Sequence, residues 1–338
     1  MKTSILVIGD SYMPVESMRP AVEALGPVVT ASYRTVDPND RPPLPGVTEY
    51  QGDPEIISTW IDDHTVLVVH AAAVTRELLE RHPQIRLVVC LRGGPVNVDL
   101  GAARDLGVAV VNTPGKNAPS VCDLTIAYMH LLLRRVPEAR RSLVDKASAG
   151  ETHLDSTFVG GEWMSREPRG LTLGIVGFGA IGRLVAREAH RYAMRVVAHD
   201  PFVSSSSDEV DLVSLDELAA QSDVVTIHAK ATNENVRLVD ANFLAAMNRE
   251  AVIINTSRQS LMDERALLSA LQAGRIAGAA LDVCEPDGAW PQLVALPNVM
   301  ITPHLGGATA QTQQRGLEMG LADLVRFLEG KEPLHRVA

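Results

Sequence analysis

The sequence predicts an α/β protein built from two doubly wound parallel sheets. Three observations carry that prediction. Short β-branched runs alternate with helical segments almost throughout, many of these runs are apolar on successive residues, and two such series are separated by one long helix beginning near residue 119. A strand that is apolar at every position is buried on both faces, as in a parallel sheet covered by helices. Repetition of strand, helix and strand then gives the doubly wound architecture.

The candidate strands, in order, are residues 4–8, 66–69, 87–90, 173–176, 195–198, 224–227, 252–255, 278–281 and 299–301. The first series runs to about residue 112, and its proline-rich stretch DPNDRPPLPG, residues 37–46, reads as a surface loop. A helix follows over residues 119–135, with Val121, Leu124, Tyr128, Leu131 and Leu132 at helical spacing. A polar, glycine-containing stretch covers residues 149–170, and the second series starts at Leu171. Residues 204–207 form a serine run that reads as a solvated loop, and residues 310–327 read as a last long helix. A helix after the final strand can return to the first domain and make that domain discontinuous.

Bulk properties narrow the function classes. At 338 residues, with 46% apolar and 21% charged side chains, the chain is long enough for two domains and is not disordered. A net charge of −10 argues against a nucleic-acid or anionic-membrane partner, because like charge repels phosphate. Aromatic residues make up only 4%, too few for base-stacking platforms. Cys90, Cys122 and Cys284 are scattered without metal-ligand spacing, which implies no metal site and suits a reducing cytoplasm. The apolar run in MKTSILVIGD is too short for a signal peptide, and none approaches the ~20 residues of a membrane helix.

The stretch LGIVGFGAIG holds glycines at Gly177, Gly179 and Gly182, with Ala180 and Ile181 opening the following helix. Alone, this spacing is weak. It gains weight because a buried strand ends at Gly177 and a helix with Leu184, Val185 and Ala189 follows. Gly177 suits the tight turn, Gly179 the approach of a pyrophosphate, and Gly182 close packing of helix on strand. Amides at the helix start then face the phosphates. The next strand ends at Asp200, whose carboxylate can accept bonds from ribose hydroxyls and repels a 2′-phosphate, so NAD is favoured over NADP.

Three later strand ends carry reactive side chains. The strand AVIIN leads to Arg258, GAALDV to Glu285, and VMITP to His304. A guanidinium matches a carboxylate bidentately and can anchor a 2-oxo or 2-hydroxy acid. A histidine beside the reacting carbon can give a proton as hydride arrives, and a nearby carboxylate favours its imidazolium form. Taken singly, a surface ion pair, a loop charge and a structural histidine explain these residues equally well. Their joint occurrence behind a dinucleotide loop favours an oxidoreductase.

With these pieces in place the chain resembles the D-2-hydroxyacid dehydrogenases, from about Val66 onward. The matching segments are LRGGPVNVD, VVNTPG, GLTLGIVGFGAIG, INTSRQS, ALDVCEP and LPNVMITPHLGGAT. The resemblance implies a Rossmann-type NAD domain, residues 114–308, inserted in a discontinuous flavodoxin-like substrate domain formed by residues 1–113 and 309–338. It implies a homodimer through the dinucleotide domains. It gives Arg258 the substrate, His304 the acid–base role and Glu285 the histidine's partner. Backbone amides over Arg92, Gly93, Gly94, Pro95 and Val96 would hold the substrate carboxylate. Thr256 and Asp282 lie where strand ends approach the nicotinamide, and Asp282 is equally readable as structural. Two departures stand out. The loop in DVCEP is two residues shorter than usual, which leaves Asp287 as a rival to Glu285, and Gln259 replaces the usual glycine after the arginine. Arg92, Lys116 and Lys230 also lie on loops near the expected substrate, which would suit a second anionic group.

Two other classes compete. VIGDS, with Ser11, resembles the nucleophile block of GDS-type serine hydrolases, but the chain offers no convincing Asp-x-x-His block near its end. Transcriptional corepressors that sense NAD share the family resemblance, although a binding-only module would not need Arg258 and His304 together.

Overall fold

Alternation of apolar strands with helices resolves into two parallel sheets, each in its own unit. The computed structural model describes residues 3–38, 41–154, 159–205 and 209–338. Asn39 and Asp40 of the proline-rich loop, residues 155–158 of the polar stretch, and Ser206 and Ser207 of the serine run lie outside the described residues. One unit comprises Met1–Asn117 with Ala308–Ala338, the other Ala118–Gly307.

The strands of the first unit are β1 (Thr3–Gly9), β2 (Val29–Thr35), β3 (Val66–Val69), β4 (Leu87–Cys90) and β5 (Ala109–Val111). They pair in the order β2-β1-β3-β4-β5, all parallel, with Ile5 opposite Val66 and Val66 opposite Leu87. Strand alternation sends Leu6, Ile8, Leu67, Val69 and Val88 to one buried face and Ile5, Val7, Val66, Val68 and Leu87 to the other. The helix Ala310–Leu328 covers the second face with Leu317, Leu321 and Leu324, which ties the chain's end into this unit. Burying each such side chain stabilises the fold by about 1.5–3 kcal/mol.

The second unit continues with β6 (Thr172–Val176), β7 (Arg195–His199), β8 (Asp211–Leu212), β9 (Val224–Ile227), β10 (Val252–Asn255), β11 (Gly278–Leu281) and β12 (Val299–Ile301). The order is β12-β11-β10-β9-β6-β7-β8, again all parallel. On one face the helix Ala118–Leu133 packs Tyr128, Met129 and Leu132 with Val185 and Ala189 over Leu173, Ile175 and Ile254. On the other, Leu218, Phe243, Leu244 and Leu267 cover Val176, Val225, Ile227 and Ile253.

Two elements that sequence periodicity did not predict have physical reasons for escaping it. Val29–Thr35 is an edge strand with no fully buried position, so its sequence VTASYRT carries no apolar run. The helix Val136–Ser148 buries none of its residues and has no apolar stripe facing a core. Among the described residues no helix is long and apolar enough to cross a membrane.

Each sheet has a point where neighbouring connections run in opposite directions. In the second unit it lies between β6 and β9, and in the first between β1 and β3. Open parallel sheets bind ligands at the carboxyl ends of strands flanking such points.

Candidate active site

The turn after β6 is shaped by its glycines. Gly177 has φ +93°, and a Cβ there would lie 2.3 Å from the Ala229 amide nitrogen, so only glycine fits both the backbone and the space. A Cβ on Gly182 would meet the Gly177 carbonyl oxygen at 2.4 Å, which lets the helix Ala180–Arg191 start against the strand. Around Gly179 a Cβ would meet nothing within 4 Å. Gly179 is also the helix N-cap and places no side chain on the first amides, which therefore face open space. A cradle of this kind fits a pyrophosphate, so the residues present suit a dinucleotide.

Asp200 follows β7. Its Oδ2 accepts the Phe178 amide at 2.8 Å and its Oδ1 the Phe202 amide at 2.9 Å. The carboxylate thus steadies the glycine turn, and each oxygen keeps a lone pair for a ribose hydroxyl. Replacing Asp200 with serine should lower the preference for NADH over NADPH at least about tenfold, since repulsion of the 2′-phosphate is lost. Steady-state kinetics with both cofactors check this, and an unchanged ratio would remove the discriminating role.

After β10, Thr256 turns inward and its hydroxyl shares a 3.1 Å hydrogen bond with Thr125. Ser257 donates to the Ala229 carbonyl at 2.7 Å, and Asn255 donates to the Arg258 carbonyl at 3.1 Å. These bonds present Arg258 to solvent at the strand end, where its guanidinium donates to the Ser257 carbonyl at 2.9 Å. Gln259 opens a short 3-10 turn over Gln259–Leu261 without a left-handed residue, so the loop does not require the glycine it lacks.

His304 lies after β12 with φ 58°, left-handed for a non-glycine residue. Asp282 holds it there. The Asp282 carbonyl accepts the His304 amide at 3.0 Å, and its carboxylate accepts the Leu305 and Gly306 amides, each at 2.7 Å, and the Thr302 hydroxyl at 2.5 Å. The Tyr128 hydroxyl joins the same chain through Thr302. Asp282 is 1% exposed, and both its oxygens serve the protein's own donors. A left-handed histidine costs about 1 kcal/mol and persists only where its surroundings impose it.

Glu285 and Asp287 are not hydrogen-bonded or ion-paired with His304 in these described residues. They line a groove of about 430 Å³ together with Arg237, Asp263, Glu264 and Gly288, a group that does not include His304. The side chain that fixes this short loop is Glu264, which sequence reasoning did not single out. Its Oε1 accepts the Glu285 amide at 2.6 Å and its Oε2 the Ala289 amide at 3.0 Å. Burial pushes the Glu264 carboxyl above its usual range, against the pull of those two amides. Its only sequence signal was an acid at the start of a helix, where acids are common.

In the first unit, Arg92 donates to the Glu49 carbonyl at 2.9 Å and to its carboxylate at 2.6 Å. The segment Arg92–Val96 offers fewer amides than expected, and the reason is chemical. Pro95 has no N–H, and the Val96 amide is spent on the Gly94 carbonyl at 2.9 Å. The amides of Gly93 and Gly94 remain, on exposed backbone. Lys230 is exposed, whereas Lys116 is buried to 7% exposure. Ser11 is exposed and no histidine hydrogen-bonds it, so the GDS motif assembles no hydrolase site among the described residues.

Comparison with known proteins agrees with this geometry. The family model "D-isomer specific 2-hydroxyacid dehydrogenase, NAD binding domain" matches residues 126–306. A hydroxypyruvate reductase of Thermotoga maritima is 33% identical over 270 residues, covering 77% of this chain and 83% of that protein. A D-3-phosphoglycerate dehydrogenase of Mycobacterium tuberculosis is 35% identical over 320 residues, 93% of this chain and 55% of that protein. The chain spans about half the length of the curated D-3-phosphoglycerate dehydrogenases it matches. A solved D-isomer specific 2-hydroxyacid dehydrogenase from Lactobacillus delbrueckii ssp. bulgaricus, in its NAD complexed form, aligns at TM-score 0.80. It shares 20% identity across 99% of this chain and 100% of that one, a likeness of fold. The chain belongs to the D-isomer specific 2-hydroxyacid dehydrogenase family, and residues 126–306 are its NAD-binding domain.

Proposed function

We propose that the chain interconverts a small 2-oxo acid and its D-2-hydroxy acid by hydride transfer with NAD(H). The observation that carries this reading is His304, held in a costly backbone conformation by Asp282 at the carboxyl edge of the sheet that bears the glycine cradle. The hydride itself comes from the bound nicotinamide. The rest is the work of this chain's own residues. Arg258, solvent-facing and with no acidic partner among the described residues, binds the substrate carboxylate. His304 gives a proton to the developing alkoxide in reduction and takes one in oxidation. Glu285 supports the imidazolium form, with Asp287 as its rival. Residues 1–113 with 309–338 act as the substrate domain and 114–308 as the cofactor domain.

The direct test is a panel of 2-oxo acids with the purified chain, followed by NADH absorbance. Oxidation of NADH by glyoxylate, pyruvate or hydroxypyruvate is expected. Binding of NADH with no turnover across the panel would favour the NAD-sensing reading instead.

Copies of the chain pair through the cofactor domain in a reducing cytoplasm. In support, the helix Val136–Ser148 exposes Val136, Leu143 and Val144 and buries no residue within its own unit. Light scattering at micromolar concentration should give twice the chain mass, and a monomer mass would end this part of the proposal.

A further inference from the structure

Three consecutive strands of the second sheet, β10, β11 and β12, carry Arg258, Glu285 and His304 on the loops after them. Parallel pairing sets Asn255 opposite Leu281 and Leu281 opposite Ile301. The ladders end close to these pairs, so the loops beyond need ties of their own. Between the last two loops the tie is Asp282, which holds the His304 backbone from the end of β11. Between the first two it is Glu264. The chain leaves Arg258 through the turn Gln259–Leu261 and soon enters the helix Glu264–Gln272. Residues 237–239 fix that stretch, because the Arg237 amide donates to the Ser260 carbonyl at 2.7 Å and the Val239 amide to the Leu261 carbonyl at 2.9 Å. Asp263 accepts the Arg265 and Ala266 amides at 3.1 and 3.0 Å, so the helix is capped without Glu264.

Free of that task, the Glu264 carboxylate leaves its own helix and grips the next loop from both ends. Oε1 accepts the Glu285 amide and Oε2 the Ala289 amide, and inside this span the Gly288 amide closes a turn onto the Glu285 carbonyl at 3.0 Å. Gly288 has no room for a side chain. A Cβ there would lie 2.3 Å from the Glu264 Oε2 and 2.7 Å from the Glu285 Cβ. The clamp also separates the two acids of the loop. Glu285 is half-buried and its own amide is held, whereas Asp287 stands on the exposed turn. Glu264 is 4% exposed, and among the described residues no cation pairs with it. Burial is the largest influence on its carboxyl and raises its pKa, the two amides oppose this, and the charge of Glu285 raises it further. A buried anion without a counter-charge is costly, and a neutral acceptor would satisfy an amide at lower cost. Costs of this kind collect where function needs a fixed geometry.

We propose that Glu264 is a positioning residue for the reaction: by clamping residues 285–289 onto the helix that follows the Arg258 loop, it sets the place from which the Glu285 carboxylate serves His304. Glu264 touches neither substrate nor cofactor and acts through Glu285. This role rests on the hydride-transfer reading proposed above, and every residue it involves belongs to the second unit. The three strand-end loops are then held in series by two buried carboxylates. Asp282 ties the His304 loop to β11, and Glu264 ties the Glu285 loop to the segment after β10. Misplacing a catalytic group by about 1 Å can cost about a hundredfold in rate, so two hydrogen bonds at this clamp carry a large kinetic effect.

Two measurements on the full chain test this, one without turnover. Amide hydrogen exchange of the peptide covering residues 283–290, followed by mass spectrometry, should quicken about tenfold in Glu264→Ala, where both amides lose their acceptor. Gly288→Ala, which drives a methyl group against the Glu264 carboxylate, should quicken it as well. Unchanged exchange in both would overturn the clamp. In the reduction of glyoxylate or hydroxypyruvate, Glu264→Ala should lower kcat about tenfold while KM changes less than about twofold. Glu264→Gln keeps the reach and one accepting oxygen, and should recover part of the loss. If Glu264→Ala does not fold, Glu264→Gln and Gly288→Ala carry the same comparisons. A double substitution separates positioning from plain support of the fold. In a Glu285→Gln background Glu264→Ala should lower kcat less than about twofold, because the carboxylate it places is gone. Equal falls in both backgrounds, or coupling to Asp287→Asn in place of Glu285→Gln, would overturn the proposal. Faster exchange in variants of a parent that reduces no 2-oxo acid would remove the oxidoreductase reading and the kinetic role with it. A parent that reduces them and loses no kcat in Glu264→Ala would keep that reading and overturn the role of Glu264 alone.

Discussion

Replacing His304 by alanine should lower kcat about 10²–10⁴-fold, the usual contribution of a positioned general acid, while NADH affinity changes less than about twofold. The contrast arises because His304 follows β12, whereas the dinucleotide cradle follows β6 on the other side of β9, β10 and β11. Alanine also tolerates the left-handed backbone of residue 304 poorly, so asparagine, which adopts it readily, is the second variant. His304→Asn keeps the loop and cannot shuttle protons, and should be as inactive as alanine. Pre-steady-state hydride transfer and NADH fluorescence titration separate the two effects. Equal losses in kcat and NADH affinity would contradict the acid–base role. The partner carboxylate is read from the same assay. Removing it should lower kcat in Glu285→Gln and leave kcat in place in Asp287→Asn. The opposite pattern would give the role to Asp287.

Asp282→Ala should be the most damaging substitution for stability near the site. It leaves the Leu305 and Gly306 amides and the Thr302 hydroxyl without their acceptor. Each unsatisfied group costs about 1–3 kcal/mol when water cannot replace the bond, so for three groups a loss on the order of 3–9 kcal/mol is expected. The same bonds impose the His304 conformation, so kcat should fall in whatever protein remains folded, with NADH affinity retained. Asp282→Asn keeps one accepting oxygen but turns two donors toward amides, and should lie between alanine and the parent. Urea unfolding followed by tryptophan fluorescence, with kcat measured on the folded fraction, checks both expectations. An alanine variant with the parent's midpoint and kcat would show that the loop holds itself.

The cradle and the anchoring loops differ in how much of them could be read before folding. Gly177 and Gly182 were legible because steric exclusion acts on near neighbours in sequence, and the strand before and helix after them carry their own periodicity. The Asp282–Thr302–Tyr128 chain was not, since its members come from three separate elements and each residue type is commonplace alone. Glu264 escaped likewise, because its partners at Glu285 and Ala289 belong to a loop on the next strand. VIGDS offered Ser11 as a competing reading, which the absence of an Asp-x-x-His block already disfavoured. The motif's Asp10 draws its donors from the turn beside it and from the end of β3.

By itself the sequence determined two parallel α/β sheets, a dinucleotide turn and the strand ends that carry Arg258, Glu285 and His304, because burial on both faces and backbone sterics act over short stretches of chain. Tertiary structure alone decided which carboxylate serves which partner. Asp282 holds the His304 loop, Glu264 holds the Glu285 loop, and Asp10 orients His70. Hydrogen bonding depends on distances of about 3 Å between atoms remote in sequence, and only the packing of strands brings such atoms together.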